Sequence, residues 1–134
     1  MSNLQQNIIV TDTDLQRLLS VVDHNTTPTA EELEAELHRA QVVEQRAVPA
    51  DVVTMNSELI YEDCATKARR QIKLVYPKDA DAAQGRISVL APIGSALLGL
   101  RIGQTIAWRV PNGTKHIRVV EICYQPEASG DYEL

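Results

Sequence analysis

The sequence contains no phenylalanine, one tryptophan and four tyrosines in 134 residues, so any core must be assembled mainly from leucine, isoleucine and valine. It lacks a run of roughly eighteen apolar residues, so no membrane-spanning helix and no membrane partner is expected. The start, Met1-Ser2-Asn3-Leu4-Gln5-Gln6, has neither the basic segment nor the apolar stretch of a secretory signal, which makes the cytoplasm the expected compartment. Cysteine is scarce. Cys64 and Cys123 lie far apart, form no CxxC pair, and are expected as free buried thiols without a redox role. Positive charge is also in short supply: the formal net charge is −5, whereas contacts to phosphate need a basic face, so direct, specific nucleic-acid binding is not expected. The deficit is local. Up to Ala47 there are eight acidic residues against three basic ones, and the remainder is balanced, which suggests two parts with different surfaces.

What is present is ordinary for a folded protein, with 44% hydrophobic and 23% charged residues, enough for one packed domain and a small appendage. The first part, residues 1–47, reads as a helical hairpin. An acidic first turn after Thr11 leads into a stripe of Leu15, Leu18, Leu19 and Val22. Turn formers at 23–28 stop that helix, and Thr29 with Glu32 suggests a capping box for the next. Ala30, Leu33, Leu37 and Ala40 then recur at coiled-coil spacing, and a short loop between two such helices predicts antiparallel packing. A first arm of roughly twelve residues spans only about 18 Å, so the hairpin must lean on the rest of the chain or on a partner.

Pro49 marks a boundary, and the period changes to two. In residues 48–134 strands are expected at 52–55, 58–63, 71–76, 86–90, 105–110 and 116–124. A short apolar helix is expected at 93–100, with Pro92 at its start and Gly99 or Gly103 at its end. Residues 79–85 should be a polar loop or a single helical turn. Ile106, Trp108 and Val110 alternate with Thr105, Ala107 and Arg109, and Asn112-Gly113 offers a tight hairpin turn. The fold class expected is α+β.

Catalytic chemistry finds little support. Gly94 to Gly99 has the spacing of a phosphate-binding loop, but Leu100-Arg101 stands where the lysine and the hydroxyl are needed. His24, His38 and His116 have no metal-ligand spacing, and Ser57, Ser88 and Ser95 sit in no nucleophile elbow. No catalytic, metal or cofactor-binding residue is expected. Leu90 is ambiguous: it lies on the strand face opposite Ile87 and Val89 and leads into Ala91-Pro92, as a second-face core residue or as part of a contact patch.

The run from Ile87 to Leu100, Ile-Ser-Val-Leu-Ala-Pro-Ile-Gly-Ser-Ala-Leu-Leu-Gly-Leu, resembles the C-terminal signature of the Gre transcription factors, and Gly103, Pro111-Asn112-Gly113 and the stretch from Val119 to Tyr124 continue it. Three further stretches resemble the shorter branch of that family, the regulators of nucleoside diphosphate kinase. They are Asp51 to Ser57, Leu74-Val75-Tyr76-Pro77, and the ending Tyr124-Gln125-Pro126-Glu127-Ala128-Ser129-Gly130-Asp131-Tyr132. The resemblance implies an N-terminal antiparallel coiled coil on a domain like the FK506-binding proteins. It implies RNA polymerase as partner, with docking on the secondary-channel rim by the turn Leu90, Ala91, Pro92 and Ile93, where Leu90 and Ala91 replace polar residues of the longer factors. Those factors also carry acids at the hairpin tip that help hold magnesium for RNA cleavage. Here the tip at Asp23, His24 and Asn25 offers one acid on a short arm.

The expectation is therefore a monomeric, non-enzymatic transcription regulator that competes with longer Gre factors and affects nucleoside diphosphate kinase levels indirectly. Stimulation of transcript cleavage and prolyl isomerisation are the alternatives. DNA binding attaches only at the level of the family.

Overall fold

Period-two alternation builds the larger part of the molecule. The computed structural model describes residues 8–25 and 27–131. Thr26 of the tip and Tyr132 of the tail motif fall outside them, as do the side chains of Trp108, Arg109 and Val110. Five strands form one sheet, β3 (Glu58–Asp63), β4 (Arg69–Val75), β5 (Arg86–Ser88), β6 (Thr105–Val110) and β7 (Gly113–Tyr124), in the order β5-β4-β3-β7-β6. All neighbours are antiparallel except β4 and β5, which run parallel. Leu59, Tyr61, Ile72, Leu74, Ile117 and Val119 point to one face and are buried. On the other face Glu62 lies between Arg69 at 3.0 Å and Arg118 at 3.3 Å, and these guanidiniums, Arg69 foremost, hold its carboxyl below the usual range.

The chain enters through a strand absent from the sequence reading. Strand β1 (Ile9–Thr11) pairs in parallel with β2 (Gln41–Val43), and helices α1 (Asp12–Asp23) and α2 (Pro28–Arg39) form the hairpin between them. Thr11 caps α1, its hydroxyl accepting the Asp14 N–H at 3.0 Å. The cap of α2 is Thr27, which accepts the Ala30 N–H at 3.1 Å, and not Thr29 with Glu32. Proline at Pro28 suits the first helical position, where its missing N–H costs nothing and its φ is already helical, so the start moves upstream.

Leu18, Val22, Ala30, Leu33 and Leu37 are buried in the same apolar cluster as Met55, Leu59, Leu74 and Leu97. The stripe that reads as a coiled-coil seam therefore also faces the sheet domain.

Residues 52–55 form no strand. Only Val52 makes an isolated bridge, to Arg101. The buried backbone here is satisfied by scattered partners: Val53 N–H donates to Leu100 at 2.8 Å, and Gly99 N–H donates to Val53 at 2.9 Å. The Gln125 amide donates to the carbonyls of Pro49 and Val52 at 2.8 and 2.7 Å.

Further shifts are small. The hairpin loop is Pro111-Asn112, one residue earlier than Asn112-Gly113, because Val110 pairs with Gly113. The helix α3 (Pro92–Leu97) is shorter than 93–100 and is followed by Gly99 at φ 80°. Two 3-10 turns, Pro77–Asp79 and Ala82–Gln84, occupy the polar stretch before β5. Neither thiol is buried: Cys64 is half-exposed in a turn, and Cys123 is exposed where the register between β3 and β7 shifts. Among the described residues no helix is long and apolar enough to cross a membrane, and none form a cluster of metal-ligating side chains.

Candidate functional site

The turn after β5 is short and tightly held. Val89 still donates to Val75 across the ladder at 2.9 Å and is fully buried. Then the chain folds back on Ser88: its hydroxyl accepts the Leu90 N–H at 3.0 Å and its carbonyl accepts the Ala91 N–H at 3.0 Å. These bonds end the strand two residues before the expected limit at 90. Pro92 opens α3, and Ser95 N–H donates to Ala91 at 2.9 Å. Of the four turn residues, Pro92 is exposed while Leu90, Ala91 and Ile93 are half-buried. Leu90 and Ile93 also pack against the core, so Leu90 is in part a core residue and in part still accessible.

The helix sits flush on this turn because Gly94 has no side chain. A Cβ at that position would lie 2.1 Å from the Ser88 carbonyl oxygen. Gly94→Ala is therefore expected to lower stability by about 1–3 kcal/mol through overpacking. Urea unfolding followed by circular dichroism checks this, and an unchanged midpoint would show that the close approach of α3 to the turn is not required.

The hairpin tip lies elsewhere on the surface. Asp23 and His24 are exposed and Asn25 is half-buried. His24 Nδ1 lies 2.7 Å from the Ser20 carbonyl and the Asn25 amide donates to Val21 at 2.6 Å, so both side chains finish the last turn of α1. The tip does not stand away from the domain. With Arg17 and Ser20 it forms one wall of a groove of about 580 Å³, whose other wall carries Asn56, Tyr76 and Lys78.

At the base of the hairpin, sequence reasoning missed a buried carboxylate. Asp14 looks like one of the acids that favour a helix start, but its side chain points into the junction with the sheet domain. Its Oδ2 accepts the Met55 N–H at 3.1 Å and its Oδ1 accepts the Tyr76 hydroxyl at 3.3 Å. Burial pushes its pKa up to about 6, with Glu127 adding to the rise and the Met55 and Tyr76 bonds and Arg17 opposing it. Burial and the nearby Asp14 push Tyr76 well above the usual phenol range. The tail secures the same segment from the other side, where Thr54 donates to Glu127 at 2.7 Å. The available signal was the Thr11-x-x-Asp14 spacing followed by the apolar Leu15, which places Asp14 next to the buried stripe.

Comparison with known proteins agrees with this architecture over both parts of the chain. The family model described as transcription elongation factor, GreA/GreB, C-term, matches residues 48–124, and a model of the Rnk N-terminus matches residues 6–43. The regulator of nucleoside diphosphate kinase of Escherichia coli strain K12 is 44% identical over 131 residues, covering 95% of this chain and 96% of that protein. The transcription elongation factor GreA of Trichlorobacter lovleyi is 33% identical over 95 residues, which are 71% of this chain but only 60% of that longer protein. Among solved structures, a prokaryotic transcription elongation factor GreA/GreB from Nitrosomonas europaea superposes with a TM-score of 0.76 at 40% identity, covering 90% of this chain and all of that one. Thermus aquaticus Gfh1, at 23% identity and a TM-score of 0.51, shares the fold. These relatives are named as regulators and transcription factors rather than as enzymes. The chain belongs to the GreA/GreB transcription elongation factor family, on the side of its shorter members, the regulators of nucleoside diphosphate kinase.

Proposed function

We propose that this protein is a non-enzymatic regulator that binds RNA polymerase at the rim of the secondary channel and competes there with longer Gre-type factors. The contact is the turn Leu90, Ala91, Pro92 and Ile93. The observation that carries the reading is the shape of the hairpin in a member of this family. Each helix has twelve residues, about 18 Å at 1.5 Å per residue, and its apolar face is committed to the core. The tip rests beside the Pro77–Asp79 turn. Such an arm leaves the docking end of the molecule available while delivering no set of carboxylates to a distant catalytic centre; Asp23 is the one acid at the tip among the described residues.

The remaining parts of the reading follow from this. Residues 1–47 act as the hairpin unit and residues 48–134 as the docking unit, which we infer to have the topology of an FK506-binding protein. The protein works as a cytoplasmic monomer without direct, specific contact to nucleic acid, and any effect on nucleoside diphosphate kinase passes through transcription. Prolyl isomerisation is the less favoured reading, because an isomerase needs an apolar, aromatic pocket and a chain with five aromatic residues and no phenylalanine is poorly supplied for one.

Pro92 provides the cleanest test of docking, since it is exposed and Leu90 is not fully so. An aspartate at the first position of α3 favours the helix dipole, so Pro92→Asp should leave folding intact. It should weaken binding to core polymerase by about 2 kcal/mol or more, roughly thirtyfold in Kd, as expected for a charge placed in an anchor position. Equal binding of the variant and the wild type in a titration against labelled polymerase would remove this turn from the interface.

A further inference from the structure

The groove between the hairpin and the sheet domain has a composition opposite to that of the chain around it. Residues up to 47 hold eight acids and three bases, yet on α1 the residues Arg17, Ser20, Val21 and His24 form one stripe at helical spacing that lines the groove. The facing wall adds Lys78, from the Pro77–Asp79 turn, and the amide of Asn56. Asn56 is fixed at a left-handed φ of 68°, and its N–H donates to Leu74 at 2.6 Å. The same wall carries the buried Tyr76, whose hydroxyl donates to Asp14. His24 Nδ1 lies 2.7 Å from the Ser20 carbonyl, a pure acceptor, so Nδ1 is the donor there and the ring closes the tip end of the groove. Asp79 is the one acidic side chain lining the groove, and its backbone N–H is tied to Tyr76 at 2.9 Å.

We infer that this groove is a binding site for a small phosphate-bearing anion, held between Arg17 on the hairpin and Lys78 and the Asn56 amide on the sheet domain. Cationic and amide donors converging from two elements onto one concave surface are what a phosphate group requires. The half-buried Val21 and Pro77 on the groove wall leave room for an apolar substituent on the phosphate. Because the two walls belong to different parts of the chain, an occupant fastens the hairpin tip to the sheet domain. Such binding requires no polymerase.

The probe is inorganic pyrophosphate added to the full-length, isotope-labelled protein, with ADP as a second arm and sodium chloride at matched ionic strength as control. Saturable amide shifts are expected at residues 17–25, 56, 76, 78 and 79 with pyrophosphate. Tighter binding of ADP, with larger shifts at Val21, would identify an organic phosphate, and equal binding would identify the inorganic group as sufficient. Lys78→Glu and Ser20→Glu each place a carboxylate at an exposed position, one on each wall, and should weaken binding by about tenfold or more while leaving the thermal midpoint without ligand unchanged. Shifts that never saturate, that match the salt control, that lie outside the groove, or that survive both variants would overturn the assignment.

Discussion

Leu33→Ala is expected to reduce the free energy of unfolding by about 2–5 kcal/mol, and to do so without splitting the transition. Leu33 is fully buried near the middle of α2, in one cluster with Leu59, Leu74 and Leu97 of the sheet domain. In a free-standing coiled coil the cavity would loosen only the two helices, and the sheet would unfold at its original midpoint. In a shared core the same cavity is felt by both parts, because close-packed interiors relax only partially around a lost side chain. Urea unfolding monitored by far-ultraviolet circular dichroism and by amide exchange at β3 and β7 separates these cases. Coincident curves with one lowered midpoint are expected. A lowered hairpin transition with an unmoved sheet would refute the common core.

Asp14→Asn should flatten the dependence of stability on pH. In the folded protein Asp14 titrates at about 6 against an ordinary value of 3.8, mainly because burial disfavours its charge. The protonated side chain is thus the one favoured by folding. Its contribution is fully present below about pH 4 and is lost as the pH rises through 6, and the difference corresponds to about 3 kcal/mol. Glu62 and Asp63 act in the opposite sense: their depressed values mean stability lost on acidification. The comparison with Asn at the same site isolates Asp14 from them. An amide oxygen can still accept the Met55 N–H, so the variant should match the wild type near pH 4 and pull ahead of it as the pH rises through 6. Parallel stability curves across that range would mean that Asp14 is not desolvated at the junction.

Much of this architecture is legible in the residues. Strand β3 falls at 58–63 and β6 at 105–110 as the period-two alternation predicts, and α1 begins directly after Thr11. Signals failed where tertiary context supplies the hydrogen bonds. Residues 52–55 are apolar enough for a strand, but their partners are the Gln125 side chain, Leu100 and the Asp14 carboxylate, none of which periodicity can reveal. Residues 9–11 form a strand because residues 41–43 lie alongside after the hairpin, a pairing visible only once the hairpin closes. The turn at Leu90, Ala91, Pro92 and Ile93 is singled out only by family resemblance, since pattern alone leaves Leu90 between core and contact. The groove at Arg17, His24 and Lys78 could not be read at all, because its walls are more than thirty residues apart in the sequence.

The central claim is occupancy of the polymerase secondary-channel rim without cleavage. It is tested most directly by adding the protein to stalled elongation complexes that are being cleaved by a Gre factor, and following the RNA 3′ ends. The account predicts that cleavage falls as the protein is titrated in, that Pro92→Asp suppresses less at equal concentration, and that the protein alone shortens no RNA. Undiminished cleavage at saturating protein, or shortening by the protein alone that disappears with Asp23→Asn, would contradict it.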